Sequence, residues 1–285
     1  MALRELAFTK MHGAGNDFVV LDGISGELPP LEPLARRLLD RRFGIGGDQL
    51  LVARPSTSAD FRMDIYNPDG SRAEMCANGI RAFYLWLRDH GHTRSEEVAI
   101  ETLKGIVRPR DAGPGLVRVD MGLPILTPEK IPTRLGVGGE GPVLDVPLDV
   151  DGETLLVSSV SMGNPHCVVV VADVDAAPVQ QLGPRIEHHP AFPSRVNVEF
   201  VQIVTRDRIR QRTWERGTGE TLACGSGACA TAVASMLRGV ADRRVAIELR
   251  GGTLTIEWPS DDAHVIMTGP ATEVFRGRFA LGEGD

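Results

Sequence analysis

Two of the four cysteines in this 285-residue sequence have similar neighbours. Cys76 lies in "EMCANGIRAF" and Cys224 lies in "LACGSGACAT", and a glycine follows each cysteine at the third position. Both segments predict a short turn that opens into a helix. Because unpaired N–H groups and the helix dipole stabilise negative charge at a helix start, we expect the pKa of each thiol to fall toward neutral pH. The same N–H groups can bind a carboxylate.

Two such thiols suit a reaction at a single carbon atom. Racemisation or epimerisation without a cofactor needs a base on one face of the α-carbon and an acid on the other face. A cysteine hydrolase needs one nucleophile, a base and an oxyanion hole, and it does not require a second cysteine in matching surroundings. The pair therefore favours an epimerase or racemase, and a hydrolase or a non-catalytic binding protein with two thiols is the alternative.

The other two cysteines are interpreted as buried structural residues. Cys229 lies inside an alanine-rich helical segment, and Cys167 lies inside a valine-rich strand. A metal site is disfavoured, because no two cysteines have the C-x2-C spacing of zinc ligands. We therefore expect no bound metal.

An internal repeat accounts for the similar neighbours of the two cysteines. Cys224 follows Cys76 by 148 positions (224 − 76). The same offset relates three further pairs, which are Asn16 with Asn164, Asn67 with Glu215, and Gly79 with Gly227. The sequence therefore predicts two copies of one α/β unit.

The predicted secondary structure is rich in strands. Eight segments have strand patterns: Phe18–Asp22, Met63–Tyr66, Val98–Thr102, Leu116–Met121, Val168–Ala172, Val198–Ile203, Val245–Leu249 and Thr253–Trp258. Three segments have helix patterns: Leu31–Arg42, Gly79–Asp89 and Ala228–Leu237. Because strands outnumber helices and do not alternate with them regularly, a doubly wound parallel sheet is disfavoured.

The composition is that of a soluble globular protein, with 42% hydrophobic and 24% charged residues. No apolar run approaches the roughly 20 residues of a membrane span, and the N-terminal segment lacks a secretory signal pattern. The net charge of −7 argues against nucleic acid as the main partner and leaves a small zwitterionic ligand open. Four cysteines are too few for a disulfide scaffold in a chain of this length, which indicates a reducing cytoplasm.

Six segments, in order along the chain, resemble the diaminopimelate epimerase family. They span Lys10 to Ala230 and read "KMHGAGNDFVVLD", "GIGGDQLL", "YNPDGSRAEMCANGIRAF", "GNPHCVVVV", "VNVEFV" and "WERGTGETLACGSGACA". The first cysteine segment reads CANG where many relatives have CGNG. Alanine is acceptable there because only backbone N–H groups are needed.

The resemblance implies an α+β fold with two pseudo-symmetric domains that arose by internal duplication. Each domain would be a mostly antiparallel β-sheet wrapped around a central helix, and the substrate would bind between the domains. The C-terminal segment of the family returns to the first domain. Residues 1–122 with 271–285 would therefore form the first domain, and residues 123–270 would form the second.

The resemblance also implies a function. The protein would be a homodimeric, cytoplasmic isomerase that interconverts L,L- and meso-2,6-diaminopimelate, a small-molecule substrate of lysine and peptidoglycan precursor biosynthesis. It would act without pyridoxal phosphate or another cofactor, and without a nucleic acid or membrane partner. The scarcity of lysine agrees, because few positions could form a Schiff base: lysine occurs only at positions 10, 104 and 130.

The family's residue roles transfer to matching positions of this sequence. Cys76 and Cys224 would be the catalytic pair, with Cys76 donating and Cys224 accepting the proton in the direction from L,L-substrate to meso product. His166 and Glu215 would tune the thiols. The residues expected to bind the substrate are Asn16, Gln49, Asn67, Ala77, Asn78, Asn164, Asn197, Glu215, Arg216, Gly225 and Ser226.

An enzyme of the proline racemase or hydroxyproline epimerase type, with the same duplicated fold, is the alternative within this fold. In such an enzyme the segments "GNPHC" and "WERGTGE" should differ, because a cyclic imino acid has no distal amino-acid group for Arg216 to hold. The planar guanidinium of Arg216 suits a distal carboxylate, to which it can donate two parallel hydrogen bonds.

Overall fold

The structure is a computed structural model that describes residues 4–136, 138–139 and 141–282. Along the first part of the chain the elements are β1 (Arg4–Gly13), β2 (Asn16–Asp22), α1 (Leu31–Leu39), β3 (Gln49–Arg54), β4 (Phe61–Tyr66), β5 (Arg72–Ala73), α2 (Ala77–Asp89), β6 (Ile100–Thr102), β7 (Gly105–Val107), β8 (Arg110–Asp111) and β9 (Leu116–Asp120). The later elements are a 3-10 helix (Pro128–Lys130), β10 (Val143–Val150), β11 (Glu153–Ser161), β12 (Pro165–Val170), α3 (Val179–Glu187), β13 (Asn197–Thr205), β14 (Arg208–Glu215), β15 (Gly219–Thr221), α4 (Gly225–Leu237), β16 (Arg244–Leu249), β17 (Gly252–Glu257), β18 (Ile266–Pro270) and β19 (Thr272–Leu281).

The first sheet has the strand order β19-β1-β2-β3-β4-β6-β7, and β5 pairs with β4. Its neighbouring strands are antiparallel, apart from the parallel pairs β2–β3 and β4–β6. Helix α2 packs against β1, β2, β3 and β19. Its buried residues include Phe83, Trp86 and Leu87, so the helix is the core around which this sheet curves.

In the second sheet, strands β10 to β18 have the order β10-β11-β12-β13-β14-β16-β17-β18, and β15 pairs with β14. The parallel pairs are β12–β13 and β14–β16. Helix α4 packs against β11, β12, β13, β16 and β17. It is apolar on every side, and its many alanines allow the strands to approach its axis closely. Cys229 on α4 and Cys167 on β12 are fully buried, as predicted.

The offset of 148 residues extends through the secondary structure. Helices α1 (31–39) and α3 (179–187) are related by this offset at both ends, and so are α2 (77–89) and α4 (225–237). The parallel pairs β2–β3 and β4–β6 correspond to β12–β13 and β14–β16. Two sheets, each packed around one buried helix, confirm the predicted α+β class and the duplication.

The chain divides into two compact units. The first unit takes in the described residues up to Val119 and those from Gly269 onward, and the second unit runs from Asp120 to Thr268. The chain rejoins the first unit through β19, which pairs with β1 and places Gly277 opposite Phe8. A Cβ atom at position 277 would lie 2.6 Å from the Phe8 ring, so glycine makes room for that ring. Of the predicted domain ranges, residues 1–3, 137, 140 and 283–285 lie outside the described residues.

The structure differs from the sequence prediction at all four helices, since α2 and α4 begin two and three residues before the predicted Gly79 and Ala228. The helix predicted over Leu31–Arg42 ends at Leu39, because Asp40 has an extended backbone and its carboxylate accepts the N–H groups of Arg42 and Phe43 at 2.7 and 2.8 Å. Helix α3 was not predicted, because it follows a proline, has no side-chain cap and contains Pro184. The strands that were not predicted individually are β1, β3, β5, β7, β8, β10, β11, β14, β15, β18 and β19.

Candidate active site

The first cysteine segment, Cys76–Gly79, forms the start of helix α2. Cys76 is the N-cap residue, with an extended backbone, and its Sγ accepts a hydrogen bond from the Gly79 N–H at 3.3 Å. Ala77 and Asn78 form the first turn, where N–H groups have no intrahelical acceptor. Cys76 is half-buried, so a ligand can reach its thiol.

Asn16, the first residue of β2, lies beside Cys76. Its Oδ1 accepts from the Cys76 thiol at 3.6 Å and from Asn78 Nδ2 at 3.4 Å. Its Nδ2 donates to Asp48 Oδ2 at 2.7 Å. The amide of Asn16 is therefore held with its oxygen toward the cysteine and its nitrogen toward a carboxylate.

A network of charged side chains holds the loop that contains Asp48. Asp17 accepts from Lys10 Nζ at 2.6 Å and from Arg41 Nη2 at 2.6 Å, and Arg41 also donates to Asp48 at 2.9 Å. Lys10 also donates to the Gly46 carbonyl. Burial on its own would raise the pKa of Asp17, but hydrogen bonds from Arg41 and Lys10 hold it well below its usual value.

Gln49 and Asn67 form a second polar group in the first unit. Gln49 Nε2 donates to Asn67 Oδ1 at 3.0 Å, and Asn67 Nδ2 donates to Ser71 Oγ at 3.1 Å. Gln49 Oε1 is buried without a hydrogen-bond partner among the described residues. A buried acceptor of this kind is ready to receive an N–H donor from a ligand.

The second cysteine segment, Cys224–Gly227, forms the start of helix α4 in the same way. Cys224 is the N-cap residue, and its Sγ accepts from the Gly227 N–H at 3.4 Å. The Ser226 hydroxyl lies 3.5 Å from the same sulfur. Gly225 and Ser226 form the first turn, as Ala77 and Asn78 do in the first unit.

The expected fall in the pKa of Cys224 is wrong for this structure. Cys224 is only 5% exposed, and burial raises the pKa of its thiol well above the usual value. The nearby carboxylates of Glu215 and Glu199 raise it further, whereas the hydrogen bonds from Ser226 and Gly227 act in the opposite direction and are outweighed. The balance of these effects favours the neutral thiol of Cys224 over its thiolate.

Asn164, the counterpart of Asn16, is bound differently. Its Oδ1 lies 3.0 Å from His166 Nε2, and His166 Nδ1 lies 2.8 Å from Glu199 Oε1. Both His166 and Glu199 are completely buried. Burial raises the pKa of Glu199, and the neighbouring imidazole only partly opposes that effect.

The turn after β14 positions Glu215 and Arg216. Asn197 Oδ1 accepts the Arg216 N–H at 2.9 Å, and the Arg216 guanidinium donates to the Ser194 carbonyl at 3.0 Å. Glu215 Oε1 accepts from Thr221 Oγ1 at 2.6 Å. Burial raises the pKa of Glu215, so its carboxyl group holds a proton more readily than an exposed glutamate does.

Glu187, the last residue of α3, holds this turn through hydrogen bonds. The carboxylate is buried and accepts the Gly217 N–H at 2.9 Å and the Trp214 indole N–H at 2.8 Å. The Trp214 ring in turn lies against Gly183, where a Cβ atom would come within 2.6 Å of it. The backbone of the turn is therefore fixed by packing as well as by hydrogen bonds.

The predicted residues form hydrogen-bonded groups within their own unit. In the first unit Asn16 contacts Cys76 and Asn78, and Gln49 contacts Asn67. In the second unit Asn164 contacts His166, Asn197 contacts Arg216, and Cys224 contacts Ser226. Ala77 and Gly225 begin the two helices, and Glu215 is the last residue of β14.

Sequence reasoning missed three carboxylates. Asp48 contacts Asn16 and Glu199 contacts His166, whereas Glu187 contacts Trp214 and Gly217, which flank Glu215 and Arg216 in the chain. Glu199 had a visible signal, because it is the one charged residue in the apolar strand segment "VNVEFV". Asp48 and Glu187 gave none, because each lies near an element end where charged residues are common.

No cluster of three His, Cys, Asp or Glu side chains that could hold a metal ion occurs in the part of the chain that the structure describes. No helix among the described residues is long and apolar enough to cross a membrane.

The sequence comparisons point to one family. A profile described as diaminopimelate epimerase matches residues 8–127 and 158–274. The chain is 53% identical over 279 residues to a protein named diaminopimelate epimerase from Moorella thermoacetica, with 96% of this chain and 99% of that protein covered. A protein of the same name from Leptospira biflexa is 50% identical over 283 residues, with 97% and 100% covered.

Solved structures share the fold at much lower identity. A PhzF-family phenazine biosynthesis protein from Bacillus anthracis has a TM-score of 0.73 at 16% identity, with 98% of this chain and 100% of that chain covered. A probable proline racemase from Agrobacterium radiobacter K84 has a TM-score of 0.69 at 19% identity, with 98% and 94% covered. Such low identities show a common fold and no more.

Proposed function

Because this chain belongs to the diaminopimelate epimerase family, we propose that it interconverts L,L- and meso-2,6-diaminopimelate with Cys76 and Cys224 as the acid and the base. One observation carries the assignment of these residues. Both cysteines are N-cap residues of helices related by the 148-residue offset, and each accepts the N–H of the glycine three positions later. Cys229 and Cys167 have no such position.

The proposed reaction moves one proton at each face of the α-carbon. In the direction from L,L-substrate to meso product, the Cys224 thiolate removes the α-proton and the Cys76 thiol delivers a proton to the opposite face. The bond electrons left on the α-carbon delocalise into the carboxylate, which gains negative charge. Cys224 ends as a thiol and Cys76 ends as a thiolate, so the reverse reaction starts from the mirror-related protonation state.

The two helix starts supply the stabilisation that this charge requires. Preorganised N–H donors aimed at developing negative charge lower the barrier most where water is excluded. In the proposal the substrate α-carboxylate lies on the first turns at Ala77-Asn78 and Gly225-Ser226. The dipole of each helix would add positive potential at its own start.

The buried Cys224 thiol ionises less readily than an exposed thiol. Its pKa is raised by burial and by Glu215, so a positive charge beside the sulfur would favour the thiolate. The α-ammonium group of the substrate supplies such a charge, since an opposite charge within about 4–6 Å favours ionisation. Glu215 would hold that ammonium group, which couples thiolate formation to substrate binding.

The far end of the substrate carries a second amino-acid group. The exposed Arg216 guanidinium suits the carboxylate of this distal group. The hydrogen bond from the Arg216 N–H to Asn197 fixes the backbone from which the side chain extends. Asn67, Gln49 and Asn197 would complete the polar contacts to this group. No observation favours a cyclic imino acid instead, and the likeness to a probable proline racemase is one of fold.

We further infer that the enzyme is a cytoplasmic homodimer that works without a cofactor, as the family resemblance implies. The proposed chemistry needs only two thiols and hydrogen-bond donors, which the chain itself provides. Light scattering after size-exclusion chromatography tests the dimer, and activity after removal of pyridoxal phosphate and metal ions tests the independence from cofactors.

Isotope incorporation tests the two-thiol reaction directly. In deuterated water the delivering thiol exchanges with solvent before each turnover, whereas the removed proton stays on the other thiol. Early product should therefore carry deuterium at the epimerised α-carbon, and the remaining substrate should carry almost none. The experiment is run from both the L,L- and the meso-isomer, with L-proline as a substrate control. Early product that keeps the original hydrogen in both directions would exclude Cys76 and Cys224 as an opposed pair.

A further inference from the structure

The two equivalent asparagines present opposite ends of their amide groups. Asn16 is tied through its nitrogen to Asp48 at 2.7 Å, and its oxygen faces Cys76 and Asn78. Asn164 is tied through its oxygen to His166 at 3.0 Å. Among the described residues, Asn164 Nδ2 has no protein acceptor. The first unit therefore offers an acceptor at this position and the second unit offers a donor.

The donor end of Asn164 depends on the proton of His166. An amide oxygen accepts hydrogen bonds but cannot donate, so Nε2 must carry a proton where it meets Asn164 Oδ1. Nδ1 faces Glu199 Oε1 at 2.8 Å. Either the imidazolium donates to a carboxylate or a carboxylic acid donates to Nδ1, and in both cases the proton on Nε2 is retained. Without Glu199, a neutral ring could place its single proton on either nitrogen.

The repeat shows that this buried pair is not needed to build the fold. The 148-residue offset relates His166 to Phe18 and Glu199 to Leu51, and both of those residues are fully buried apolar side chains. The first unit thus fills the same two positions with buried apolar side chains. The second unit carries a polar pair where an apolar pair is sufficient.

The pair also has a structural cost. Glu199 Oε2 is buried without a hydrogen-bond partner in the described part of the chain, and such an atom is destabilising because its lost hydration is not replaced. A Cβ atom at Gly227 would lie 2.5 Å from Glu199 Oε1, so the first turn of α4 must have glycine there to accommodate the carboxyl group. A costly group retained beside a catalytic segment indicates a role in the reaction.

We propose that Glu199 is a positioning residue that acts through His166 to hold the Asn164 amide with its N–H₂ group toward the substrate, as a donor to a carboxylate. The inference deepens the proposed epimerase function, on which it rests. Asp48 has the converse effect in the first unit, where it leaves the Asn16 oxygen as an acceptor. The two copies thereby offer opposite hydrogen-bonding groups at equivalent positions.

Kinetics with L,L-diaminopimelate provide the first test. Glu199→Leu copies the Leu51 side chain of the first unit and should pack, and we expect it to raise KM by roughly 10- to 100-fold, the loss of one hydrogen bond to a charged group. Its kcat should fall less, because the carboxylate contact is made in both ground and transition states. Glu199→Gln should stay within about threefold of the wild type, because its amide N–H can donate to Nδ1.

Two comparisons separate this role from a general loss of structure. Gln211→Met removes another buried polar side chain of the same sheet, which does not contact His166, and it should leave KM unchanged. Asn164→Leu combined with Glu199→Leu should be no worse than Asn164→Leu alone, since both remove the same contact. An unchanged KM in Glu199→Leu, or losses that multiply in the double variant, would overturn the proposal.

Nitrogen-15 NMR of the histidine rings gives a readout that does not require turnover. The His166 Nε2–H signal, assigned with His166→Asn, should be fully present in the wild type and in Glu199→Gln and reduced in Glu199→Leu, where the ring proton is shared between the two nitrogens. If the wild-type protein failed to epimerise diaminopimelate while this pattern held, the proposed function would be wrong and the positioning role would stand. An Nε2–H signal of wild-type intensity in Glu199→Leu would refute the positioning role alone.

Discussion

At the scale of single residues, the two proposed catalytic cysteines have the same backbone position but different surroundings. Cys76 is half-buried beside an amide oxygen, whereas Cys224 is almost fully buried beside two carboxyl groups. Position at a helix start lowers a thiol pKa by offering partial positive charge, and burial raises it by removing water. For Cys224 the second effect is larger, which the sequence pattern alone does not reveal.

Substitution of single cysteines tests the residue assignment. We expect Cys76→Ala and Cys224→Ala each to lower kcat by at least about 10²–10⁴-fold, the usual contribution of one acid or base. Cys229→Ala, which removes a buried thiol from the interior of α4, should keep most of the activity and serves as the control. Turnover of L,L-diaminopimelate and circular dichroism are measured for all three. Near wild-type turnover in either active-site variant would contradict the assignment.

At the scale of elements, the two cysteine segments look interchangeable in sequence but pack against different neighbours. A Cβ atom at Gly79 would lie 3.2 Å from Cys76 Cβ and 3.4 Å from Leu51 Cδ2, whereas one at Gly227 would lie 2.5 Å from Glu199 Oε1. A short helix turn can adjust to the first contact by a few tenths of an ångström. The second requires a buried, hydrogen-bonded carboxyl group to move.

Paired glycine substitutions make this difference measurable. We expect Gly227→Ala to destabilise the protein by about 1–3 kcal/mol, the usual cost of overpacking a tight site. Gly79→Ala should cost less, because its contacts are near normal and alanine is the better helix former. Urea unfolding of both variants gives the comparison. Equal destabilisation of the two variants would show that Glu199 does not constrain the start of α4.

Many of the elements could be predicted from the sequence, because the residues that determine them are neighbours in the chain. The starts of α2 and α4 follow from a cysteine, a glycine and a helical pattern that are all adjacent in the chain. The His166–Glu199 contact joins residues 33 positions apart on two neighbouring strands, so no local pattern predicts it. Helix α3 was missed for the opposite reason, because its prolines are local signals that tertiary packing overrides.

At the scale of the whole molecule, the constant offset of 148 residues was the most informative sequence feature, because it predicted matched sites and matched folds together. The two units nevertheless differ in how they are stabilised. The network of Lys10, Asp17, Arg41 and Asp48 belongs to the first unit alone, since the offset takes these positions to Ser158, Pro165, His189 and Val196.

Acid should therefore weaken the first unit through Asp17. The pKa of Asp17 is depressed in the folded protein, so its contribution is complete above the ordinary aspartate value of about 3.9 and is lost as the pH falls toward the lower folded value. At pH 7 we expect Asp17→Asn to cost about 2 kcal/mol, the scale of a hydrogen bond to a charged group. The difference from the wild type should shrink below about pH 4.

Urea unfolding at several pH values measures this difference, and hydrogen exchange at pH 7 locates it. Protection should fall in residues 4–119 and 269–282 and stay unchanged in residues 120–268. Glu153→Gln, at an exposed position of the second unit, is the control. A pH-independent loss, or equal loss of protection in both units, would contradict this account.

The pairing of β1 with β19 has a consequence for synthesis in the cell. Lys10 lies opposite Phe275, so 265 residues (275 − 10) separate the two partners along the chain. A ribosome that adds about 5–20 residues per second needs tens of seconds to make that interval. The second unit is fully translated within it, while β1 still lacks a neighbour on one side. A nascent chain of this protein therefore carries an open strand edge through most of its translation. The first unit begins to be translated first and is completed last.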